Sequence, residues 1–547
     1  MGRRLWVLGS ALLETLLFSG CLLGWNSLSP ILMELGVLAQ DCYSDAGLPE
    51  ERSNNTTPLY DGNDTAGDWL SPPPTVAASS PAPPQDLCPS QEKYLNLGFT
   101  VGSFFLWGSF LPLQLLLGYA YIRSLRQIGG ALVSVSCLML AYCCTNPPSL
   151  SLFLPFALVA LGVGGGCVMF SSLMLPYILP DVTPIYPSLV IGCFTASATV
   201  FTIIKVIYNA GVPFVPILLG YGAISCAMFL NSFFCWNLEK KTVDEENLYR
   251  VHLRLNCYNA VRKEPQEKEW CQVSLRHKFR ASLRDRERIL SQRRALSFKK
   301  PEASVVPPLQ ESLMTPTFIL HLLADSILIT WMYFYISTLN LHLRKLTDVR
   351  HQADLYSSVF GALQMLSLLL APFIGILLNN YSCLKIPRKD EANKTRVTHK
   401  RLCSGKRLGV VYGLRILLMC CFAVTSLISS LQVQVLAFIL HIIVRTSMFM
   451  VNTTLYQCMF HKDHFGSLLG IHTIISSLLT TLQHPLYLLL IGPLQGDPFW
   501  IHSVFLALSL GSAVVPVCLM VRRSKHHHRF SRPTHLRLGA HPAKTPA

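Results

Sequence analysis

About a dozen apolar segments, each long enough to cross a lipid bilayer, constrain this sequence more than any other feature. The core of a water-soluble protein cannot bury so much uninterrupted apolar sequence. These segments are therefore expected to lie in the lipid bilayer. Of the 547 residues, 51% are apolar and 14% are charged. The chain is therefore predicted to be an all-α integral membrane protein with twelve spans, near residues 5–28, 94–117, 127–146, 150–175, 186–208, 212–236, 315–339, 354–378, 408–430, 433–457, 467–491 and 499–521.

A long, basic, charge-dense stretch separates the sixth apolar segment from the seventh. The predicted organisation is an N-terminal six-helix bundle over residues 1–236, a basic cytoplasmic linker over 237–313, a C-terminal six-helix bundle over 314–521 and a basic cytoplasmic tail over 522–547. Two bundles of six helices are typical of membrane carriers whose binding site lies near the bilayer midplane. Function is therefore expected in a central cavity.

The formal net charge of +16 would suit a nucleic-acid partner, but the 46 lysines and arginines lie between and after the apolar segments. With a cytoplasmic N-terminus, most of them fall on the cytoplasmic side, including Arg123 and Arg126 after the second segment. Both termini are therefore predicted to be cytoplasmic. The expected partners are the lipid bilayer and a small-molecule substrate, with no nucleic acid.

Residues 36–93 form the one large loop on the predicted outer side. Three glycosylation patterns start within it, at Asn54, Asn55 and Asn63. Most of the 18 cysteines fall in apolar segments or cytoplasmic loops, whereas Cys42 and Cys88 flank this loop on the oxidising side. A disulfide bond between them is predicted, and the alternative is two free thiols.

Ionisable side chains inside apolar segments are costly in lipid and are functional candidates by default. Glu14 and Arg445 lie near the middle of the first and tenth segments. They could complement the ammonium and carboxylate groups of a zwitterionic amino acid, or they could simply pair with each other or hydrogen-bond to the backbone and lock the bundles. Asp325, in the seventh segment, could pair with Arg445 or take up a proton. Lys205 lies near the outer end of its segment and is expected to reach the interface.

Polar side chains add weaker candidates for substrate binding or gating. His441, Arg445 and Asn452 share one face of the tenth helix, which could line a cavity. The alternative for His441 is a hydrogen-bonded packing residue. The remaining polar candidates, which could instead only join neighbouring helices, are Thr100, Ser103, Gln364 and Gln483.

No complete nucleophile, nucleotide or metal constellation is evident in the sequence. The glycine-rich run at 161–166 lies within an apolar segment, without a preceding strand or a lysine, and is expected to permit close helix packing. The histidine clusters at 461–464 and 526–528 are short and are expected to be solvated surface. The chain is therefore not expected to be an enzyme, and no cofactor or metal is predicted.

Several strings are more distinctive than generic apolar sequence. They are LLGW at 22–25, LNLGFTVGSF at 95–104, IKVIYNAGV at 204–212, LYSSVFG at 355–361, FILHIIVR at 438–445, HFGSL at 464–468 and GPLQGDPFW at 492–500. In these strings the chain resembles the L-type large neutral amino acid transporters of solute carrier family 43, a branch of the major facilitator superfamily. The resemblance covers nearly all of the spans but not the central linker.

The resemblance implies a twelve-helix facilitator in the plasma membrane. It would carry leucine, isoleucine, valine, phenylalanine or methionine without coupling to sodium or protons. Glu14, Lys205, His441 and Arg445 match charged or polar positions of the family. A sister branch resembles purine nucleobase carriers, so another small neutral solute is the alternative cargo. A non-transporting sensor or scaffold that acts through the basic linker is the third reading.

The chain also departs from the family at positions that matter for transport. These departures are Gly118 and Asn379 in place of aspartates, Thr183 in place of an arginine, Ile329 and Trp331 in place of a glutamine and an arginine, and Asp325 in place of an apolar residue. In the family, the two aspartates and the arginine that Gly118, Asn379 and Thr183 replace normally latch the two bundles on the cytoplasmic side. The balance of inward- and outward-facing states is therefore expected to differ in this chain.

Overall fold

The computed structural model describes residues 2–39, 89–116, 122–178, 185–236, 308–347, 349–389, 397–403, 405–460 and 464–516. The predicted glycosylation sites and the predicted disulfide lie outside the described residues, as do Gly118 and Thr183. The linker and the tail also lie outside them almost entirely. The domain boundaries drawn through those segments therefore remain predictions.

Helices make up nearly all of the described chain. The α-helices are Gly2–Phe18, Trp25–Glu34, Pro89–Gly108, Phe110–Leu116, Ile122–Thr145, Pro147–Leu150, Leu154–Ile178, Tyr186–Ala196, Thr199–Asn209, Phe214–Cys235, Leu309–Leu313, Pro316–Leu346, Arg350–Leu363, Ser367–Ser382, Gly405–Leu427, Leu431–Met459, Phe465–Thr480, Gln483–Ile491 and Phe499–Gly511. Short 3₁₀ turns are found at Cys21–Gly24, Ser151–Phe153 and Gln364–Leu366. Strands Cys383–Lys389 and Val397–Cys403 pair antiparallel.

Twelve stretches of the described chain are long and apolar enough to cross a membrane, which confirms the predicted all-α membrane fold. Numbered in order as spans 1 to 12, they are Arg4–Glu34, Pro89–Leu116, Ile122–Thr145, Pro147–Pro176, Tyr186–Asn209, Phe214–Cys235, Pro316–Leu346, Arg350–Leu378, Gly409–Leu427, Leu431–Gln457, Phe465–Ile491 and Phe499–Pro516. The antiparallel hairpin between spans 8 and 9 was not predicted, because its residues carry no strand-like alternation.

Seven of the described spans are interrupted, spans 4 and 12 near one end, by the turns Ser151–Phe153 and 512–513, and five others further along their length. Span 1 passes through the 3₁₀ turn Cys21–Gly24 and span 8 through Gln364–Leu366. Spans 2, 5 and 11 break at Ser109, Ser197 and Leu482. Four of these, spans 2, 5, 8 and 11, also make most of the contacts between the two halves, with further contacts from spans 1, 7 and 10. Such breaks free backbone groups within the protein interior and allow the two parts of a helix to move separately.

Spans 1 and 5 cross closely at their interruptions. A Cβ atom at Gly20 would lie 2.3 Å from the Phe194 carbonyl oxygen, and one at Gly24 would lie 2.2 Å from that of Ala198. The Gly20 amide also donates a 3.1 Å hydrogen bond to the Ser197 hydroxyl. These glycines are therefore required because no side chain fits between the two backbones.

On the predicted inner side of the membrane centre, the two halves meet through small residues. A Cβ atom at Gly375 in span 8 would lie 2.1 Å from the Ser188 hydroxyl oxygen in span 5. One at Gly466 in span 11 would lie 2.3 Å from Oε1 of Gln114 in span 2. In the part of the chain that the structure describes, close packing rather than an ion pair closes this end.

Candidate functional site

A small cavity lies between the halves, on the predicted inner side of the centre. Its volume is about 40 Å³, which leaves room for water molecules but not for an amino acid. The two halves contact each other on the predicted inner side of this cavity and on its predicted outer side. The molecule is therefore in an occluded conformation. The lining residues are Trp107, Phe110, Met169, Leu173, Ile191, Ile329, Phe449, Asn452, Thr453, Leu469, His472, Thr473, Ser476 and Ser477.

An aromatic cluster forms one wall of this cavity. Trp107 stacks on Phe449 with ring centroids 5.0 Å apart and meets the edge of Phe194 at 5.3 Å. The Trp107 indole Nε1 donates a hydrogen bond to the Tyr333 hydroxyl. Since Trp107 and Phe194 belong to the N-terminal half, and Phe449 and Tyr333 to the C-terminal half, the cluster packs the two halves together at the centre.

Glu14 is neutralised within its own half. Its Oε2 lies 2.5 Å from Nε of Arg126, and its Oε1 accepts a 2.6 Å hydrogen bond from Asn231. Arg126, which the sequence placed in a cytoplasmic segment, is fully buried in span 3 and also donates to the Ser172 hydroxyl at 2.9 Å. The alternative in which Glu14 pairs with Arg445 is therefore wrong.

Asp325 is neutralised in the same way by its own half. It is fully buried, and its Oδ1 lies 3.0 Å from Nη1 of Arg415. Its Oδ2 accepts a 2.6 Å hydrogen bond from Nδ2 of Asn452 and lies 3.1 Å from Nε2 of His472. The alternative in which Asp325 pairs with Arg445 is therefore wrong as well.

The two ion pairs occupy equivalent places in the two halves. Glu14 of span 1 pairs with Arg126 of span 3, and Asp325 of span 7 pairs with Arg415 of span 9. The first and third helices of each six-helix bundle are thus joined by a carboxylate and a guanidinium. Such repetition is expected where two halves share one architecture.

A group of possible metal ligands lies beside the second ion pair. The ligand atoms of His321, Asp325 and His472 lie within 4.8 Å of one another. The Asp325 carboxylate already has Arg415 at 3.0 Å, so a divalent cation there would face a guanidinium in a buried environment. The group is better described as a hydrogen-bonded network than as a metal centre.

Arg445 differs from the two paired arginines. Its exposed fraction is 1%, and its Nη2 donates to the Thr195 carbonyl oxygen at 3.0 Å and to Oε1 of Gln364. Its Nε and Nη1 have no hydrogen-bond partner, and no carboxylate pairs with it among the described residues. Tyr333 lies within electrostatic range of it. A buried guanidinium with unused donors is costly unless an anion binds there.

The other predicted candidates serve mainly to join or pack helices. Nε2 of Gln483 donates a 2.5 Å hydrogen bond to the Thr100 hydroxyl, which links spans 11 and 2 across the two halves. Ser103 is buried beside them with an unpaired hydroxyl. His441 stacks on Tyr335 at 5.1 Å and lies in hydrogen-bonding range of the Met332 backbone. These contacts are those of a packing residue.

None of the eight residues predicted for substrate binding or gating lines the 40 Å³ cavity. Arg445 and Gln364 contact each other, and Asp325 contacts the cavity-lining residues Asn452 and His472. Trp107 and Phe449 could not be recognised as lining residues from the sequence, because aromatic residues are common in apolar spans. The charges of Arg126 and Arg415 are evident from the sequence, but their pairing with Glu14 and Asp325 could not be predicted from it.

On the predicted outer side, a polar latch joins the halves. Nδ2 of Asn26 donates to the Ser357 carbonyl oxygen at 2.9 Å, and Nδ2 of Asn340 donates to the Asn26 carbonyl oxygen at 2.8 Å. Nζ of Lys205 lies 3.3 Å from Oδ1 of Asp354. Lys205 is therefore buried in an ion pair between the halves, rather than reaching the interface as expected.

The chain is 32% identical to the human protein named large neutral amino acids transporter small subunit 3, over 97% of this chain and 95% of that protein. Its mouse counterpart of the same name is 30% identical with the same coverage. The bovine protein named equilibrative nucleobase transporter 1 is 26% identical, over 94% of this chain and 95% of that protein. No protein-family model matches the chain.

Arg126→Leu is expected to destabilise the protein by about 3–5 kcal/mol, because it leaves the buried Glu14 carboxylate without its counter-charge. Glu14→Gln combined with Arg126→Leu is expected to recover part of that loss, since neither charge then remains. Thermal unfolding of the purified single and double variants in detergent measures the coupling. Strictly additive losses would contradict a direct ion pair.

Asp354→Asn is expected to lower the free energy that keeps the outer end closed by about 1 kcal/mol or less, because the Asp354 carboxylate is 42% exposed and its ion pair with Lys205 is screened by solvent. The measurement is the rate at which an impermeant maleimide labels a cysteine placed at Ser29, which is buried in the latch with its hydroxyl oxygen 3.1 Å from Nδ2 of Asn340. Asp497→Asn, which removes another acidic group on the predicted outer side, serves as the control. Equal labelling rates in both variants would contradict a latch.

Proposed function

The chain belongs to the large neutral amino acid transporter family, and from that premise we propose that it carries large neutral amino acids across a membrane by alternating access. The proposed substrates are leucine, isoleucine, valine, phenylalanine and methionine, and transport is facilitative and independent of sodium. The proposed location is the plasma membrane, with both termini in the cytoplasm.

The observation that carries this proposal is the buried, unpaired guanidinium of Arg445. Two of its nitrogen donors have no partner among the described residues. A substrate carboxylate would accept a charge-assisted hydrogen bond from Nε or from Nη1. Because these two nitrogens do not share an edge of the guanidinium, a bidentate contact would also require Nη2 to release Thr195 or Gln364. Arg445 also bridges the halves by donating to Thr195 of span 5. A carboxylate bound there would therefore be held at the junction that opens and closes.

The two sets of contacts between the halves support alternating access. The predicted outer end is closed by the hydrogen bonds of Asn26 and Asn340 and by the Lys205–Asp354 pair. The predicted inner end is closed by glycine contacts at Gly375 and Gly466. Opening one end while the other stays closed would expose the centre to one side at a time, and the interrupted helices supply the hinges.

A purine nucleobase is the second candidate cargo, because one relative carries that name at 26% identity. A neutral nucleobase would offer ring nitrogens as acceptors for the donors of Arg445, but it brings no negative charge to balance the buried guanidinium. The amino acid reading is therefore preferred. A non-transporting role through the linker has no support in the contacts of the described residues.

Cells that express this chain are expected to take up labelled leucine saturably, at the same rate in sodium and in choline buffer. Preloading the cells with unlabelled leucine is expected to raise the rate, since a loaded carrier returns faster than an empty one. Adenine in excess is expected not to compete. Strict sodium dependence, or adenine uptake that leucine does not inhibit, would contradict the proposal, given equal surface expression.

A further inference from the structure

The hydroxyl group of Tyr333 has an unused hydrogen-bond donor at the centre of the molecule. The exposed fraction of Tyr333 is 1%, and its oxygen accepts a hydrogen bond from Nε1 of Trp107. An indole nitrogen can only donate, so the proton of the Tyr333 hydroxyl is left for another partner. Among the described residues that proton has no acceptor. A buried donor without an acceptor is costly, so its retention calls for a partner.

Tyr333 and Arg445 flank the same part of the junction between the halves. Nη2 of Arg445 donates to the Thr195 carbonyl oxygen at 3.0 Å. The residue before Thr195, Phe194, meets the edge of Trp107 with ring centroids 5.3 Å apart, and Trp107 is hydrogen-bonded to Tyr333. Tyr333 also lies within electrostatic range of Arg445. The hydroxyl and the guanidinium therefore face this part of the junction from spans 7 and 10.

Gln364 of span 8 adds a third unused donor. Its Oε1 accepts a hydrogen bond from Nη2 of Arg445. A guanidinium only donates, so this end of the amide must be the oxygen, and the NH₂ end is left without a partner among the described residues. Spans 7, 8 and 10 of the C-terminal half thus each contribute buried donors that lack acceptors. Such a group of donors, one of them charged, fits an anion.

Arg445 alone cannot satisfy both oxygens of a bound carboxylate. Its unused nitrogens, Nε and Nη1, do not share an edge of the guanidinium, and Nη2 is engaged by Thr195 and Gln364. A carboxylate held by one of the unused nitrogens therefore needs a second donor for its other oxygen. The Tyr333 hydroxyl can donate there while its oxygen still accepts from Trp107, and hydroxyl–carboxylate hydrogen bonds are short and strong.

We infer that Tyr333 is a binding residue for the substrate carboxylate, which takes one hydrogen bond from Arg445 and one from the Tyr333 hydroxyl. This inference rests on the proposed function. The same hydroxyl accepts from Trp107 of the N-terminal half, just as Arg445 donates to Thr195 of that half. The bound carboxylate is therefore linked to both halves through each of its two partners.

The test compares leucine with leucinol, which lacks the carboxylate, as inhibitors of labelled leucine uptake by cells that express the full-length chain. On the unaltered chain, half-inhibition is expected to need at least about 100-fold more leucinol than leucine, because two charge-assisted hydrogen bonds are lost and each is worth at least about tenfold in affinity. In Tyr333→Phe this ratio is expected to fall about tenfold, while inhibition by leucinol changes little. Both inhibitors are measured on the same cells, so differences in surface expression cancel.

Trp107→Phe is the matched control. Both variants remove the hydrogen bond between Trp107 and Tyr333, but Trp107→Phe keeps the Tyr333 hydroxyl. The maximal rate of uptake is expected to fall in both variants, whereas the tenfold fall in the ratio is expected in Tyr333→Phe alone.

An unchanged ratio in Tyr333→Phe would overturn the inference, and so would an equal fall in both variants, which would show that Tyr333 only holds Trp107. A ratio below about tenfold on the unaltered chain would overturn it too, and that measurement needs no variant to fold. Absence of leucine uptake by the unaltered chain at the cell surface would overturn the proposed function together with the inference.

Discussion

The neutralisation of buried charge inside each half is the constraint on which the rest of the structure depends. Glu14 with Arg126, and Asp325 with Arg415, each join the first and third helices of a bundle. Because both partners of each pair lie in one half, these charges are independent of whether the halves are open or closed. Breaking one pair would leave an uncompensated charge in a medium that solvates it poorly.

With those charges paired, Arg445 is a buried cation at the junction of the halves that has no carboxylate partner among the described residues; its described partners are the neutral oxygens of Thr195 and Gln364. A ligand that brings a carboxylate would relieve this imbalance, and it would do so at the place where the halves meet. Binding energy could then be coupled to the rearrangement of the halves, because the same guanidinium contacts both.

The spans and the fold class could be predicted from the sequence because they depend on local hydropathy. Which charges pair could not, since Glu14 and Arg126 are 112 residues apart in the chain and periodicity carries no information on their contact. Arg126 was placed in a cytoplasmic segment because span 3 begins at Ile122, earlier than hydropathy indicated. The aromatic cluster at Trp107 could likewise not be predicted from the sequence, because it depends on how the two halves pack against each other.

The most direct test of the central claim is leucine binding to the purified protein, compared with binding of leucinol, which lacks the carboxylate. The unaltered chain is expected to bind leucine and to discriminate strongly against leucinol, whereas Arg445→Gln is expected to lose leucine affinity and the discrimination together. Arg445→Lys, which keeps the charge without the guanidinium fork, should fall between them. Retention of both leucine affinity and discrimination by Arg445→Gln would contradict the account.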